Sequence, residues 1–299
     1  MNATVKKIDA CKREMVISIP KEVVQSKFDE VYKLIQKKAQ IKGFRVGTAP
    51  MHLVQSEHSQ LAREEVLKDL IPNSYKEALE KENLLPVDLP EVTDVSFKDG
   101  GLTFKASFEV VPEVKIKKYK GLEVKRKKTA VTDEDIKKSF EFLRKSQGLD
   151  DKTQIDDTFA KGLGYPNLKE LEDTIKKQME FSKQQEARND IENQIAEQLL
   201  KNSELDIPQS SLTKQLEYLL EDTKQRMAHQ GVKKEEIDSK EQTIKEKLKP
   251  LAENDVKLYF ILDKIAELEN IKVDKPEHKT AKVMEFLLKE AKWSNEDTT

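Results

Sequence analysis

Apolar residues recur along this chain at two periods. Val5 to Asp9 and Glu14 to Ile19 read as strands, the second alternating Met15, Ile17 and Ile19 against polar or small neighbours. Pro20 then opens a helix, at a position where its missing N–H costs nothing. Val24, Phe28, Val31, Leu34 and Ile35 form its single apolar stripe, through about Gln40. After a loop, Leu61, Val66, Leu70, Tyr75 and Leu79 predict a second helix over 59–82, kinked or broken at Pro72. Val92 to Phe97 and Leu102 to Val110 alternate at period two about Asp99-Gly100-Gly101, which predicts a hairpin turned by Asp-Gly. Two strands, helices and two more strands make an α+β domain ending near Pro112.

Beyond it the period becomes helical. Thr132-Asp-Glu-Asp135 predicts an N-cap, and Ile136, Phe140 and Leu143 the stripe of the helix it starts. Leu168, Leu171, Ile175, Met179, Ile191, Ile195 and Leu199 mark one long helix. Leu212, Leu216, Leu219 and Leu220 carry a second to Met227, closed by Gly231. Ile244, Leu248, Leu251, Leu258, Tyr259, Leu262, Ile265 and Leu268 give a third, with a kink at Pro250. Val283, Phe286, Leu287 and Ala291 give a short last helix, and Ser294–Thr299 should fray. The fold class is an α+β N-terminal domain followed by a mainly α-helical, elongated C-terminal domain. The boundaries expected are 1–112, a basic linker and helix over 113–150, and a helical domain over 151–299.

Between the first two helices lies Ile41-Lys42-Gly43-Phe44-Arg45-Val46-Gly47-Thr48-Ala49-Pro50. Glycine permits positive φ and proline fixes φ, so this is a shaped loop. Spacing alone favours a helix-to-helix turn with Phe44 folded into the core. The functional alternative places Phe44 and Arg45 at the tip, an aromatic anchor beside a planar charged fork suited to carboxylate or phosphate.

Charge sharpens the division. The chain of 299 residues has a net charge of −2, yet residues 1–149 carry 29 basic and 23 acidic side chains while 150–299 carry 25 and 33. The two halves should meet different partners. Lys115 to Lys128 is strongly basic, and two readings balance: contact with RNA phosphates, or a solvated edge strand that includes Gly121-Leu-Glu-Val124. A charged fraction of 37% with 6% aromatics, and a mean hydropathy of −0.72, suit long solvated helices better than an enzyme with a deep apolar pocket.

Cys11 is the only cysteine, so no intramolecular disulfide or thiolate cluster is available and a reducing compartment is the simpler reading. No run of about 18 apolar residues occurs, so a soluble, unprocessed, cytoplasmic protein without membrane contact is expected. His52, His58, His229 and His278 make no metal-ligand pattern with each other or with Cys11. Neither a phosphate loop, a dinucleotide fingerprint nor a nucleophile elbow is present, and nothing asks for a cofactor.

Gly43-Phe-Arg-x-Gly-x-x-Pro50, followed by Leu53-Val54, resembles the ribosome-docking signature of the trigger factor family, chaperones of the bacterial nascent-chain exit tunnel. The strand–helix–strand layout of 1–112, Phe108-Glu-Val-Val-Pro-Glu-Val114, Ile155-Asp-Asp-Thr-Phe159-Ala-Lys-Gly-Leu-Gly164-Tyr and the corner Leu205-Asp-Ile-Pro208 extend the resemblance over nearly the whole chain. It implies an ATP-independent chaperone. Gly43, Phe44, Arg45, Gly47 and Pro50, with Lys42, would dock on the protein and rRNA of the large ribosomal subunit at the exit tunnel, and a helical cradle would shelter nascent or unfolded chains. Met179, Met227 and Met284 are candidate client contacts, being adaptable side chains. A homodimer through the first domain is a further possible partner state.

The chain departs from the family at three places. The family's FK506-binding-type isomerase domain follows the helix at 133–146; here Gln147-Gly148 leads within a few residues to the segment the family places after that domain. The isomerase is therefore expected to be absent, and the chain not to be an enzyme. The run Lys272 to Lys282 is short, as if the second helical arm were trimmed. Val46 and Thr48 stand where the family commonly has lysine, which should weaken docking on RNA or an acidic surface. A ribosome-independent holdase or assembly chaperone, with a repurposed docking domain, is the alternative.

Overall fold

The computed structural model describes residues 1–127, 129–146, 148, 154–272 and 278–295. They form two compact units interleaved along the chain: Met1–Val114 with Leu205–Lys257, and the described parts of Lys115–Glu204 and Leu258–Thr299.

In the first unit β1 (Asn2–Lys7), β2 (Lys12–Ile19), β3 (Glu91–Lys98) and β4 (Gly101–Glu109) make an antiparallel sheet in the order β1-β2-β4-β3. The central pairing sets Met15 opposite Ala106, Ile17 opposite Phe104 and Ile19 opposite Leu102. All six are buried, so the period-two pattern becomes one dry face. That face packs with Val24 and Val31 of α1 (Lys21–Lys38) and with Ala62, Val66, Leu70 and Tyr75 of α3 (Ser59–Glu82). The β3–β4 turn has Asp99 at φ 50° and Gly100 at φ 81°, the two left-handed central residues that a tight hairpin requires.

Several sequence expectations shift for physical reasons. Asp9 is a turn residue, not strand, because its carboxylate accepts the backbone N–H groups of Lys12 at 2.7 Å and Cys11 at 2.9 Å. Those bonds, Lys12 first, hold its carboxyl below the usual range. α3 runs unbroken through Pro72, which is exposed; water can serve the one carbonyl that loses its amide. Leu34 and Leu61, placed in apolar stripes by spacing, are exposed.

The same unit holds α7 (Gln209–His229), α8 (Lys234–Ser239) and most of α9 (Glu241–Leu268). Pro208 offers α7 no capping side chain. Glu109, at the end of β4, supplies the cap from a hundred residues away. Its carboxylate accepts Gln209 N–H at 3.0 Å, Ser210 N–H at 2.8 Å and the Ser210 hydroxyl at 2.5 Å. An anion on free helical N–H groups is the favourable arrangement at that end of a helix. Cys11 Sγ to the Asp206 carbonyl at 3.5 Å joins the corner at Leu205–Pro208 to the turn before β2, and Lys214 of α7 meets Asp88 at 2.7 Å. α9 continues through Pro250, and buries Ala252, Val256, Phe260, Ile261 and Ala266 while Leu251, Tyr259 and Leu268 are exposed. Leu262 and Ile265 of the expected stripe are buried as well, so the apolar residues occupy more than one face and the expected stripe turns only partly to solvent.

The second unit contains α4 (Asp133–Ser146), α5 (Asp157–Gly162), α6 (Leu168–Lys201) and α10 (Lys279–Glu290). β5 (Lys115–Ile116) pairs antiparallel with β7 (Ser203–Glu204), and β6 (Glu123–Arg126) pairs in parallel with β8 (Lys292–Asn295). Ser294 thus belongs to a strand rather than a frayed end; 296–299 lie outside the described residues. β6 has α6 on its other side. Gln198 accepts from Glu123 N–H at 3.1 Å and donates to the Glu123 carbonyl at 2.7 Å, and Gln194 does the same for Lys125 at 2.8 and 3.0 Å. Two glutamines one helical turn apart reproduce the ladder of a missing neighbour strand.

Candidate functional site

The loop after α1 is built as two consecutive four-residue turns. Phe44 N–H donates to the Ile41 carbonyl at 3.1 Å, and Thr48 N–H to the Arg45 carbonyl at 3.0 Å. Each turn has glycine at its third position, and Gly43 and Gly47 both adopt φ 86°. L-residues resist that region, so these two glycines set the shape even though open space surrounds both. The Thr48 hydroxyl adds a second bond to the Arg45 carbonyl at 2.7 Å.

The foot of the loop is fixed and its tip is free. Ile41, Ala49 and Val54 form a small buried cluster with Tyr32, Ile35, Met51 and Leu53. Gln36 Nε2 holds the Ala49 carbonyl at 2.6 Å, and Pro50 starts α2 (Met51–Glu57). Ile41 therefore takes the core place that spacing offered to Phe44. Phe44 is 41% exposed, and Val46 is exposed beside it. Lys42 and Arg45 are exposed and make no ion pair among the described residues. The structure thus gathers Lys42, Gly43, Phe44, Arg45, Gly47 and Pro50 into one apolar-and-cationic tip on a buried support.

The basic stretch differs. Lys117 meets Glu204 at 2.5 Å, Lys120 meets Glu269 at 2.8 Å and Lys127 meets Asp190 at 2.6 Å. Lys120 also lies 5.4 Å from the centre of the Phe286 ring. With the glutamine pair covering β6, the stretch behaves as an edge strand and its flanks tied to acidic neighbours, while Lys115, Lys118, Lys125 and Arg126 make no ion pair among the described residues. Lys128 lies outside the described residues.

The three methionines have different surroundings. Met179 lines an open groove between α4 and α6, Met284 lines a separate cavity with Arg188, His278 and Leu288, and Met227 is half-buried near the end of α7 in the other unit. Spacing arguments missed Phe142 and Phe181, which are 72% and 66% exposed. The available signal was Phe142's place outside the Ile136–Phe140–Leu143 stripe. Among the described residues no group of three His, Cys, Asp or Glu side chains could hold a metal ion, and no helix is long and apolar enough to cross a membrane.

A family model described as bacterial trigger factor protein matches residues 1–143, and one described as bacterial trigger factor protein C-terminus matches 167–292. Trigger factor of Solibacter usitatus is 35% identical over 158 residues, 51% of this chain and 37% of that protein. Trigger factor of Geobacter sulfurreducens is 37% identical over 137 residues, 46% of this chain and 32% of that protein. The aligned part spans about a third of the length of these relatives. A solved structure of the trigger factor chaperone, described for promiscuous substrate recognition in folding and assembly activities, superposes with a TM-score of 0.59 at 16% identity, covering 97% of this chain and 100% of that one. It has the same fold.

Proposed function

Because this chain belongs to the trigger factor family, we propose that it is an ATP-independent chaperone that docks beside the ribosomal exit tunnel through the loop 43–50 and shelters unfolded or nascent chains on its helical part. In this reading 1–112 is the docking module, 113–150 the connector and 151–299 the client-holding region. The observation that carries it is the loop itself, two glycine-shaped turns on a buried foot that hold Phe44 and Arg45 out in solvent. An exposed aromatic beside a guanidinium that makes no ion pair among the described residues matches what interfaces use as anchors. Client release needs no nucleotide when each apolar contact is weak and folding buries the client's own apolar surface. We read the chain as working without an isomerase domain, since only residues 144–166 separate the two matched family segments and a β-sheet domain needs about 100 residues.

Val46 and Thr48 favour a second reading, a ribosome-independent holdase, because they leave the tip with few cations. Cosedimentation with bacterial ribosomes across a salt series separates the two. The docking reading expects salt-sensitive binding. It also expects Val46→Lys/Thr48→Lys to bind roughly tenfold tighter at low salt, with a salt slope steeper by about one to two if the new cations meet phosphate. Val46 is exposed, and the change removes the Thr48 hydroxyl bond but keeps the Thr48 N–H bond to the Arg45 carbonyl, so the backbone turn is kept. No binding by folded wild type at low salt would leave the holdase.

A further inference from the structure

We propose that the open groove between α4 and α6 is a client-binding site selective for apolar segments that carry a carboxylate. This rests on the chaperone reading and adds to it a place and a preference. The two helices run antiparallel here, as Lys183 to Asp135 at 2.6 Å and the Ser139 hydroxyl to Met179 Sδ at 3.2 Å show. Between and beside them Phe142, Leu143, Leu163, Leu171, Ile175 and Met179 line about 690 Å³ of open space. That is the size of a pocket able to take several side chains. Phe142 stands 72% exposed at its edge. Phe181 lies three residues beyond Gln178 on α6, continuing the lining face by helical spacing.

The polar groups of the lining define the occupant. The Asp135 carboxylate is already engaged by Lys183 and by the Thr132 N–H and hydroxyl, and Lys183 holds its carboxyl far below the usual range. The Ser139 hydroxyl is committed to Met179, and that of Thr174 to the Glu170 carbonyl. Lys138, the Gln178 amide and the Tyr165 hydroxyl remain, and none of them has an ion-pair or hydrogen-bond partner among the described residues. An apolar trough with one uncommitted ammonium, one amide and one phenol hydroxyl offers a single charge and two neutral hydrogen-bonding groups, too little to fix a charged cofactor. It suits an extended peptide, whose apolar side chains fill the trough, whose backbone meets the amide and whose acidic side chain answers Lys138, the one uncommitted charge of the lining among the described residues. A basic segment gains no partner there and meets Lys138.

The test is fluorescence anisotropy with two labelled peptides that share a Leu-Phe-Leu core, one flanked by aspartates and one by lysines, at low salt. The aspartate peptide is expected to bind the full chain about fivefold tighter. Lys138→Glu should reverse that order, and Phe142→Ser should weaken both peptides by about tenfold. Both positions are exposed, so the variants keep the fold. Equal affinities in the wild type, an unchanged ratio in Lys138→Glu, or full binding by Phe142→Ser each overturn the inference. So does a Phe142→Ser change that alters self-association alone, which would make the occupant a second copy of the chain. Suppression of aggregation of a chemically denatured protein is measured in parallel. Suppression by wild type without groove dependence sinks this inference and leaves the chaperone reading standing; a wild type that neither suppresses aggregation nor binds either peptide sinks both.

Discussion

Replacing Phe44 and Arg45 together with alanine should lower affinity for bacterial ribosomes by at least about a hundredfold while leaving the fold intact. Interface anchors of aromatic or arginine type each contribute about 2 kcal/mol or more, and 1.4 kcal/mol is a factor of ten. Neither side chain supports the loop. The buried foot is Ile41, Ala49 and Val54, and both turn bonds are backbone bonds that the alanines keep. The melting transition should therefore move by no more than the ~0.5 kcal/mol typical of surface changes. Ribosome binding within about threefold of wild type would place the anchor elsewhere. Unfolding of the variant would mean that Phe44 belongs to the core after all.

The second large effect concerns stability. Glu109→Ala should destabilise the first unit by about 2 kcal/mol, the sum of a lost helix cap and a lost charge–dipole contact. Among the described residues no other side chain accepts the N–H groups of Gln209 or Ser210, and Pro208 has no capping side chain. Glu109→Gln keeps an acceptor but no charge, and should cost roughly half as much. Urea denaturation gives the magnitude, and hydrogen exchange at Gln209 and Ser210 gives the location. A loss below about 0.5 kcal/mol would show that water replaces the carboxylate without penalty.

These two sites show what a linear reading can and cannot reach. The strand faces, the limits of α3 and the β3–β4 turn follow from local rules: alternation about Ile17 and Phe104, helical spacing over 59–82, and an Asp-Gly pair at positive φ. The loop's shape was legible for the same reason, since only glycine adopts φ 86° freely. Its contents were not, because Ile41 and Phe44 compete for one small cluster and pattern does not rank them. The Glu109 cap joins residues a hundred positions apart, and a lone glutamate at a strand end carries no sign of the helix it will meet. Gln194 and Gln198 bond to a strand some seventy residues earlier, a pairing that no local pattern signals. β8 escaped notice because its strand partner precedes it by more than 160 residues. Phe142 stands outside the regular stripe of α4, and helical spacing ranks only the residues within a stripe.

The central claim is that the tip of the 43–50 loop touches the ribosome. A photo-reactive phenylalanine analogue at position 44 tests it most directly, with the same analogue at exposed Leu89 as the control. After irradiation with bacterial ribosomes, position 44 should yield a covalent adduct to a component of the large subunit, lost at high salt, while position 89 yields none. A chain that cosediments with ribosomes but forms no adduct from position 44 would contradict the claim.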